Sequence, residues 1–156
     1  NDLGNLLNRT VSMVRKYRDG RIAGGGGTEL DTAAESAIAD YVEHMDAMRL
    51  QDALEAAMSI VRQSNAWVDT RAPWALAKDP EAADELDAVL GGLVRALARV
   101  ATALQPFMPE KCAELWARLG GDESPPPLDE LPERWPSMLP EHTAGVLFPR
   151  IEVDGG

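Results

Sequence analysis

Hydrophobic residues recur every three or four positions through most of this chain and nowhere alternate over the length of a strand. From Asp2 to Arg18, Leu3, Leu6, Leu7, Val14 and Tyr17 fall on one side of a helix, while Asn5, Arg9, Ser12 and Lys16 fall together on the other. The stretch DGRIAGGGG interrupts the pattern, because consecutive glycines resist helix, and predicts a surface loop. Thr28 is placed to cap a second helix that turns Leu30, Ala33, Ala34, Ala37, Ile38, Tyr41 and Met45 inward. Glu29 and Asp31 then sit where the positive end of the helix dipole favours acids. A tight turn around Met48 leads into a third helix, from about Leu50 to Thr70, with Leu54, Ala57, Met58, Val61 and Val68 on its inner side.

Pro73 predicts the end of that helix, since proline donates no backbone hydrogen bond and disfavours the helical conformation at Ala72. The strongest period follows, from about Glu81 to Leu104: Leu86, Val89, Leu90, Leu93, Val94, Leu97, Val100, Ala101 and Leu104 mark a central core helix. Pro106 ends it, and Pro109 fits the first turn of a short fifth helix that stops at Gly120 and Gly121. Beyond these glycines GDESPPPLDELPERWPSMLPE is proline-rich and acidic, and reads as an extended tail packed on the surface. The segment VLFPRIEV near the end fits one short extended piece. The expected organisation is therefore all-α: a bundle of about five helices over residues 1–120 and a proline-rich tail over 121–156.

Composition narrows this reading. At 156 residues the chain suffices for one domain with a substantial core. The lone cysteine, Cys112, cannot form an intramolecular disulfide, which fits a reducing compartment, and cytoplasm is the expectation. No apolar run approaches the roughly 20 residues that span a bilayer. The chain opens on Asn1 rather than Met, as a piece of a longer polypeptide would. A net charge of −11 counts against a polyanionic partner, but the charge is segregated. Residues 1–27 carry Arg9, Arg15, Lys16, Arg18 and Arg21 against Asp2 and Asp19, net +3, whereas residues 28–60 are net −7. The local field governs what approaches the first helix.

No catalytic constellation emerges. His44 and His142 stand without neighbours at metal-ligand spacing, and no metal site is expected. Cys112 has no adjacent histidine or basic cluster and reads as a packed thiol. Asp84 and Glu85 point to different sides of a helix, and GGGG lacks the Lys-Ser/Thr of a phosphate loop. What remains is a polar, partly basic face on the first helix and a tryptophan, Trp74, at a proline-interrupted junction. The residues alone leave Trp74 two readings, core packing and outward display. Trp67 and Trp116 lie closer to apolar stripes and read as packing, and Trp135 as a pin for the tail.

Four stretches, in this order and at these separations, carry a resemblance: NDLGNLLNRT, NAWVDTRAPWALAK, LQPFMPEKCAELWARLG and LFPRIE. Together they resemble the C-terminal anticodon-binding domain of bacterial methionyl-tRNA synthetases, with NAWVDTRAPWALAK the most specific. The resemblance implies a helical bundle that grips the anticodon stem-loop of methionine tRNA, while a separate catalytic domain activates methionine with ATP. The family's His-Ile-Gly-His and Lys-Met-Ser-Lys-Ser type signatures and its zinc-binding insertion have no counterpart here. The expectation is a non-catalytic portion of a longer ligase that holds no cofactor itself; ATP, methionine and any zinc belong to the catalytic domain.

In that family an asparagine and an arginine one helical turn apart bond to anticodon bases, and a tryptophan after an Ala-Pro pair stacks on the first anticodon base. The matching positions are Asn5 and Arg9, and Trp74 preceded by Pro73. Asn5 and Arg9 share a helical face by their spacing. Single-stranded bases gain roughly 1 to 3 kcal/mol each by stacking on aromatic rings and expose edges for hydrogen bonding. Arg15, Lys16, Arg18 and Arg21 are candidates to hold flanking phosphates, which fix position rather than read sequence. Asn65 and Asp69 fit either support of that site or capping of the helix end. Two rivals stand beside this reading: a helical protein-interaction module whose acidic second helix and tail bind a basic partner, and the equivalent bundle of an isoleucine, valine or leucine synthetase. The APW junction and LFPRIE argue against the latter.

Overall fold

Apolar spacing and its interruptions resolve, among the described residues, into six α-helices: α1 (Asp2–Arg18), α2 (Glu29–Asp46), α3 (Leu50–Arg71), α4 (Pro73–Leu76), α5 (Ala83–Leu104) and α6 (Pro109–Arg118). The structure, a computed structural model, describes residues 2–141. Among these the only β-type pairing is an isolated bridge between Arg21 and Met138. The VLFPRIEV segment and His142 lie outside the described residues.

Helix α5 is the axis of the bundle and packs against each of the other five helices. Every residue from Val89 to Leu104 is buried, because apolar or small side chains occupy all its sides apart from Arg95 and Arg99. Helices α2 and α3 form a hairpin through the turn at Met48, whose φ of 61° lies in the left-handed region. Leu6, Leu7, Val11 and Val14 bury the inner side of α1, and Asn5, Arg9, Ser12 and Lys16 are exposed as their spacing predicts.

The N-terminus of α2 is more elaborate than a cap. Thr28 and Asp31 form a reciprocal capping box, in which Thr28 Oγ1 accepts from the Asp31 amide at 3.0 Å and Asp31 Oδ2 accepts from the Thr28 amide at 3.1 Å. Asp31 is also buried, 3% exposed, and accepts two hydrogen bonds from Arg95, at 2.9 and 3.0 Å, and one from Arg99 at 3.2 Å. Its place in the first turn predicts a partner of the helix dipole, and the buried pairing with two arginines goes beyond that. The two arginines sit inside the long apolar pattern of α5, where charge is affordable only when paired.

After α6 the chain turns back through Gly120, whose φ is 91°, and a Cβ there would lie 1.9 Å from the Met138 carbonyl oxygen. Glycine thus lets the tail cross its own beginning. The tail makes one 3₁₀ turn, Leu128–Glu133, and buries Leu131 and Leu139 in the core. Trp135 is half-buried with the Arg99 guanidinium 5.0 Å from its ring centroid. Backbone bonds from Ile22 to Ser137 (2.9 Å) and from Leu139 to Gly20 (2.8 Å) tie the tail to the loop after α1.

Candidate nucleic-acid interface

The end of α3 sets the direction of Trp74. Pro73 pushes Ala72 out of the right-handed helical region, and Ala72 adopts φ 47° and ψ 66° while its amide still bonds to the Val68 carbonyl at 2.9 Å. Pro73 then serves as the first residue of the one-turn helix α4, a start that the sequence reading had taken only as a stop. Pro73 is buried, and Trp74, the next residue, is 44% exposed. Trp74 is therefore a displayed ring on an anchored turn. A left-handed alanine costs about 1 kcal/mol relative to glycine. Ala72→Gly is accordingly expected to stabilise the chain by about 1 kcal/mol in urea unfolding; unchanged or lowered stability would show the junction to be unstrained.

Arg9 reaches across from α1 to the outer face of α3. Its guanidinium donates to Asn65 Oδ1 and to Asp69 Oδ1, both at 3.4 Å. These are long for charge-assisted bonds, and the pair with Asp69 is solvent-exposed on both sides, 41% and 73%. Such a pair contributes little stability but restricts the fork to one region. Asn65 holds its own place by donating from Nδ2 to the Val61 carbonyl at 3.3 Å. Asn65 and Asp69 thus support Arg9 and do not cap the helix end. Asp69 lies five residues before Trp74, so the two Cα atoms are at most about 18 Å apart along any chain path.

Between α1 and α3 runs an open groove of about 640 Å³ lined by Asp2, Asn5, Asn8, Arg9, Arg62 and Asn65. The lining is wholly polar: three amides that both donate and accept, two guanidinium forks and one carboxylate. Their polar tips suit flat polar edges and phosphates, while their carbon stems form much of the groove's surface. Asn8 and Arg62 were not singled out from the sequence. A signal for Arg62 existed, since it lies three residues before Asn65 and shares its helical face.

The basic residues after Arg9 divide into two groups. Lys16 and Arg21 are exposed, with the Lys16 ammonium 5.7 Å from the Tyr17 ring centroid. Arg15 donates to the Pro140 carbonyl at 3.0 Å, and Arg18 is held by the Asp87 carboxylate and the carbonyls of Tyr17 and Ala83. Arg15 and Arg18 thus help close the fold, a use that a count of charges along the chain does not reveal.

The other aromatic and reactive groups have structural partners. Trp116 is fully buried and donates to the Asp122 carbonyl at 2.8 Å. Trp67 is half-buried beneath the Arg71 guanidinium, 4.5 Å from its ring centroid, and Arg71 also pairs with Glu29. His44 accepts from Arg49 at 3.1 Å. Burial pushes the Cys112 thiol up to about 12, so it stays protonated and unreactive at neutral pH. Among the described residues no group of three or more His, Cys, Asp or Glu side chains could hold a metal ion, and no helix is long and apolar enough to cross a membrane.

Comparison with known proteins identifies the family. Residues 19–153 match the family described as the anticodon binding domain of methionyl tRNA ligase. The methionine–tRNA ligase of Streptococcus pneumoniae serotype 4 is 43% identical over 79% of this chain and 19% of its own length. That of Streptococcus pyogenes serotype M1 is 37% identical over 99% of this chain and 24% of its own length, a span that includes α1. Among solved structures, Mycobacterium tuberculosis methionyl-tRNA synthetase bound by methionyl-adenylate superposes with a TM-score of 0.82 at 27% identity, over 96% of this chain and 31% of that one. The chain spans about a quarter or less of the length of these curated relatives. With a family match over most of its length and a superposable helical fold, the chain belongs to the family of anticodon-binding domains of methionyl-tRNA ligases.

Proposed function

We propose that this chain recognises the anticodon stem-loop of methionine tRNA, as the RNA-reading part of a ligase whose separate catalytic domain charges that tRNA in the cytoplasm. The observation that carries the reading is Arg9, held by Asn65 and Asp69 on the last turns of α3, a short chain distance from the displayed ring of Trp74. Asn5 stands one turn before Arg9 on the same exposed face. A base splayed from the anticodon loop would stack on Trp74 and present its edge to the Arg9 fork and the Asn5 amide. Lys16 and Arg21, exposed beyond Arg9, are suited to phosphates on either side. Arg15 and Arg18 are suited to them only by leaving their present partners. The chain's residues supply binding and orientation alone. ATP and methionine, with any zinc, fall to the catalytic domain, which is the second partner.

Titration of the chain with the stem-loop of methionine tRNA tests this. The expected result is weak binding that falls steeply with salt, and about tenfold weaker binding when the first anticodon base is changed, the scale of one well-made base contact. Equal affinity for the methionine and isoleucine anticodon stem-loops at moderate salt would refute it.

A further inference from the structure

We infer that the end of the groove away from Trp74 is a second nucleotide subsite, in which Arg62 binds a phosphate of the anticodon loop beside the base read by Arg9; this rests on the function proposed above. Arg9 on α1 meets Asn65 and Asp69 on α3, while Asn5 and Asn8 line the groove with Arg62 and Asn65. Arg62 precedes Asp69 by seven residues, which places it about 10 Å back along the axis of α3. A single base stacked on Trp74 and touched by Arg9 occupies the other end. The stretch between Asn8 and Arg62 then faces whatever is joined to that base, and a nucleotide is joined through phosphate.

The chemistry of the far end fits a phosphate on the α3 side. Arg62 is 55% exposed and, among the described residues, pairs with the exposed carboxylate of Glu55 at 3.0 Å. Such a surface pair contributes little and exchanges readily for a better acceptor. A phosphate offers the guanidinium fork two oxygens in matching geometry, whereas Glu55 meets it through one nitrogen. Asp2 lines the same groove and repels phosphate near the start of α1, so the favourable position lies on the opposite wall, at Arg62. Asn8, half-buried, lines the same groove and is able to donate and accept toward a base edge.

The test compares the chain with Arg62→Gln and Arg62→Lys, each checked for unchanged helicity, against methionine stem-loops carrying the original or a changed first anticodon base, across a salt series. Arg62→Gln is expected to lower the slope of log affinity against log salt by about 0.7, the value for one single-strand phosphate contact. It is expected to weaken both stem-loops alike, so that first-base discrimination is preserved, and Arg62→Lys is expected to restore the slope. An unchanged slope in Arg62→Gln, while the unsubstituted chain still discriminates, overturns this inference alone. Loss of discrimination at unchanged slope does so too, since Arg62 would then read a base. An unsubstituted chain that fails to discriminate overturns the proposed function and this subsite with it.

Discussion

Replacing Asp31 with alanine is expected to cost about 3 to 5 kcal/mol of folding stability, the scale found when one member of a buried ion pair is removed. Two guanidinium groups, on Arg95 and Arg99, would stay in the core, 4% and 8% exposed, without the carboxylate that receives three of their hydrogen bonds. The capping box at the start of α2 would go with it. Urea unfolding at pH 7 measures the effect as a lowered midpoint at unchanged slope. A loss below about 1 kcal/mol would mean that the arginines find water or that Glu35, 3.5 Å from Arg99, replaces the missing acid. Replacing all three charged groups by apolar residues of similar volume is a different experiment, because it leaves no orphan charge.

The same carboxylate predicts the response to acid. Burial by itself would raise the Asp31 carboxyl, but the hydrogen bonds from Arg95 and Thr28, with the Arg95 charge, outweigh it and hold the group well below the usual carboxylate range. A group depressed in the folded state stabilises the fold fully above its unfolded value, near 4, and loses that contribution as pH falls toward its folded value. Stability is therefore expected to decline below about pH 4. In Asp31→Asn, which carries no titrating group at this position, that decline is expected to be shallower. Arg71, at the end of α3 and just before the junction that displays Trp74, pairs separately with Glu29 at the start of α2.

The helices were legible in the sequence because each buries one face, and burial of one face imposes the three-and-four spacing seen in α1, α2 and α3. Their contents were less legible where packing is all-round. Arg95 and Arg99 lie within an apolar run that signals only that α5 is central, and Asp31 looked like any acid in a first helical turn. Helix α4 has four residues, too few for a period, and Pro73 carries the same signal whether it ends one helix or begins another. Asn5 and Arg9, like Trp74, became site candidates by resemblance; their one-turn spacing put the two on one exposed face, and a tryptophan beside a proline is compatible with burial. The roles of Asn65 and Asp69 stayed open because support of Arg9 depends on which helix lies opposite. Arg15 and Arg18 were grouped with Lys16 and Arg21 for the same reason: their partners, Pro140 and Asp87, are distant in the chain.

Trp74→Ala is expected to weaken binding of the methionine stem-loop by about 2 kcal/mol, near 30-fold, with stability changed by less than about 0.5 kcal/mol. Both halves follow from its placement. The ring is 44% exposed on a one-turn helix that Pro73 and the half-buried Leu76 anchor, so its removal opens no cavity. A base that loses its stacking surface loses the sequence-tolerant part of its affinity, and Trp74→Phe is expected to keep much of it because any aromatic face serves. Trp116→Ala is the necessary contrast. That side chain is fully buried, donates to the Asp122 carbonyl and lies under Arg134, so its loss is expected to cost about 3 to 5 kcal/mol of stability. Compared at equal folded fraction, by circular dichroism in parallel with titration, Trp116→Ala is expected to bind as the unsubstituted chain does. If the two variants exchange behaviours, Trp74 serves the core and the groove must find its stacking partner elsewhere. If Trp74→Ala affects neither stability nor binding, the left-handed turn at Ala72 displays a ring that no base meets, and recognition rests on Arg9 and its amide neighbours alone.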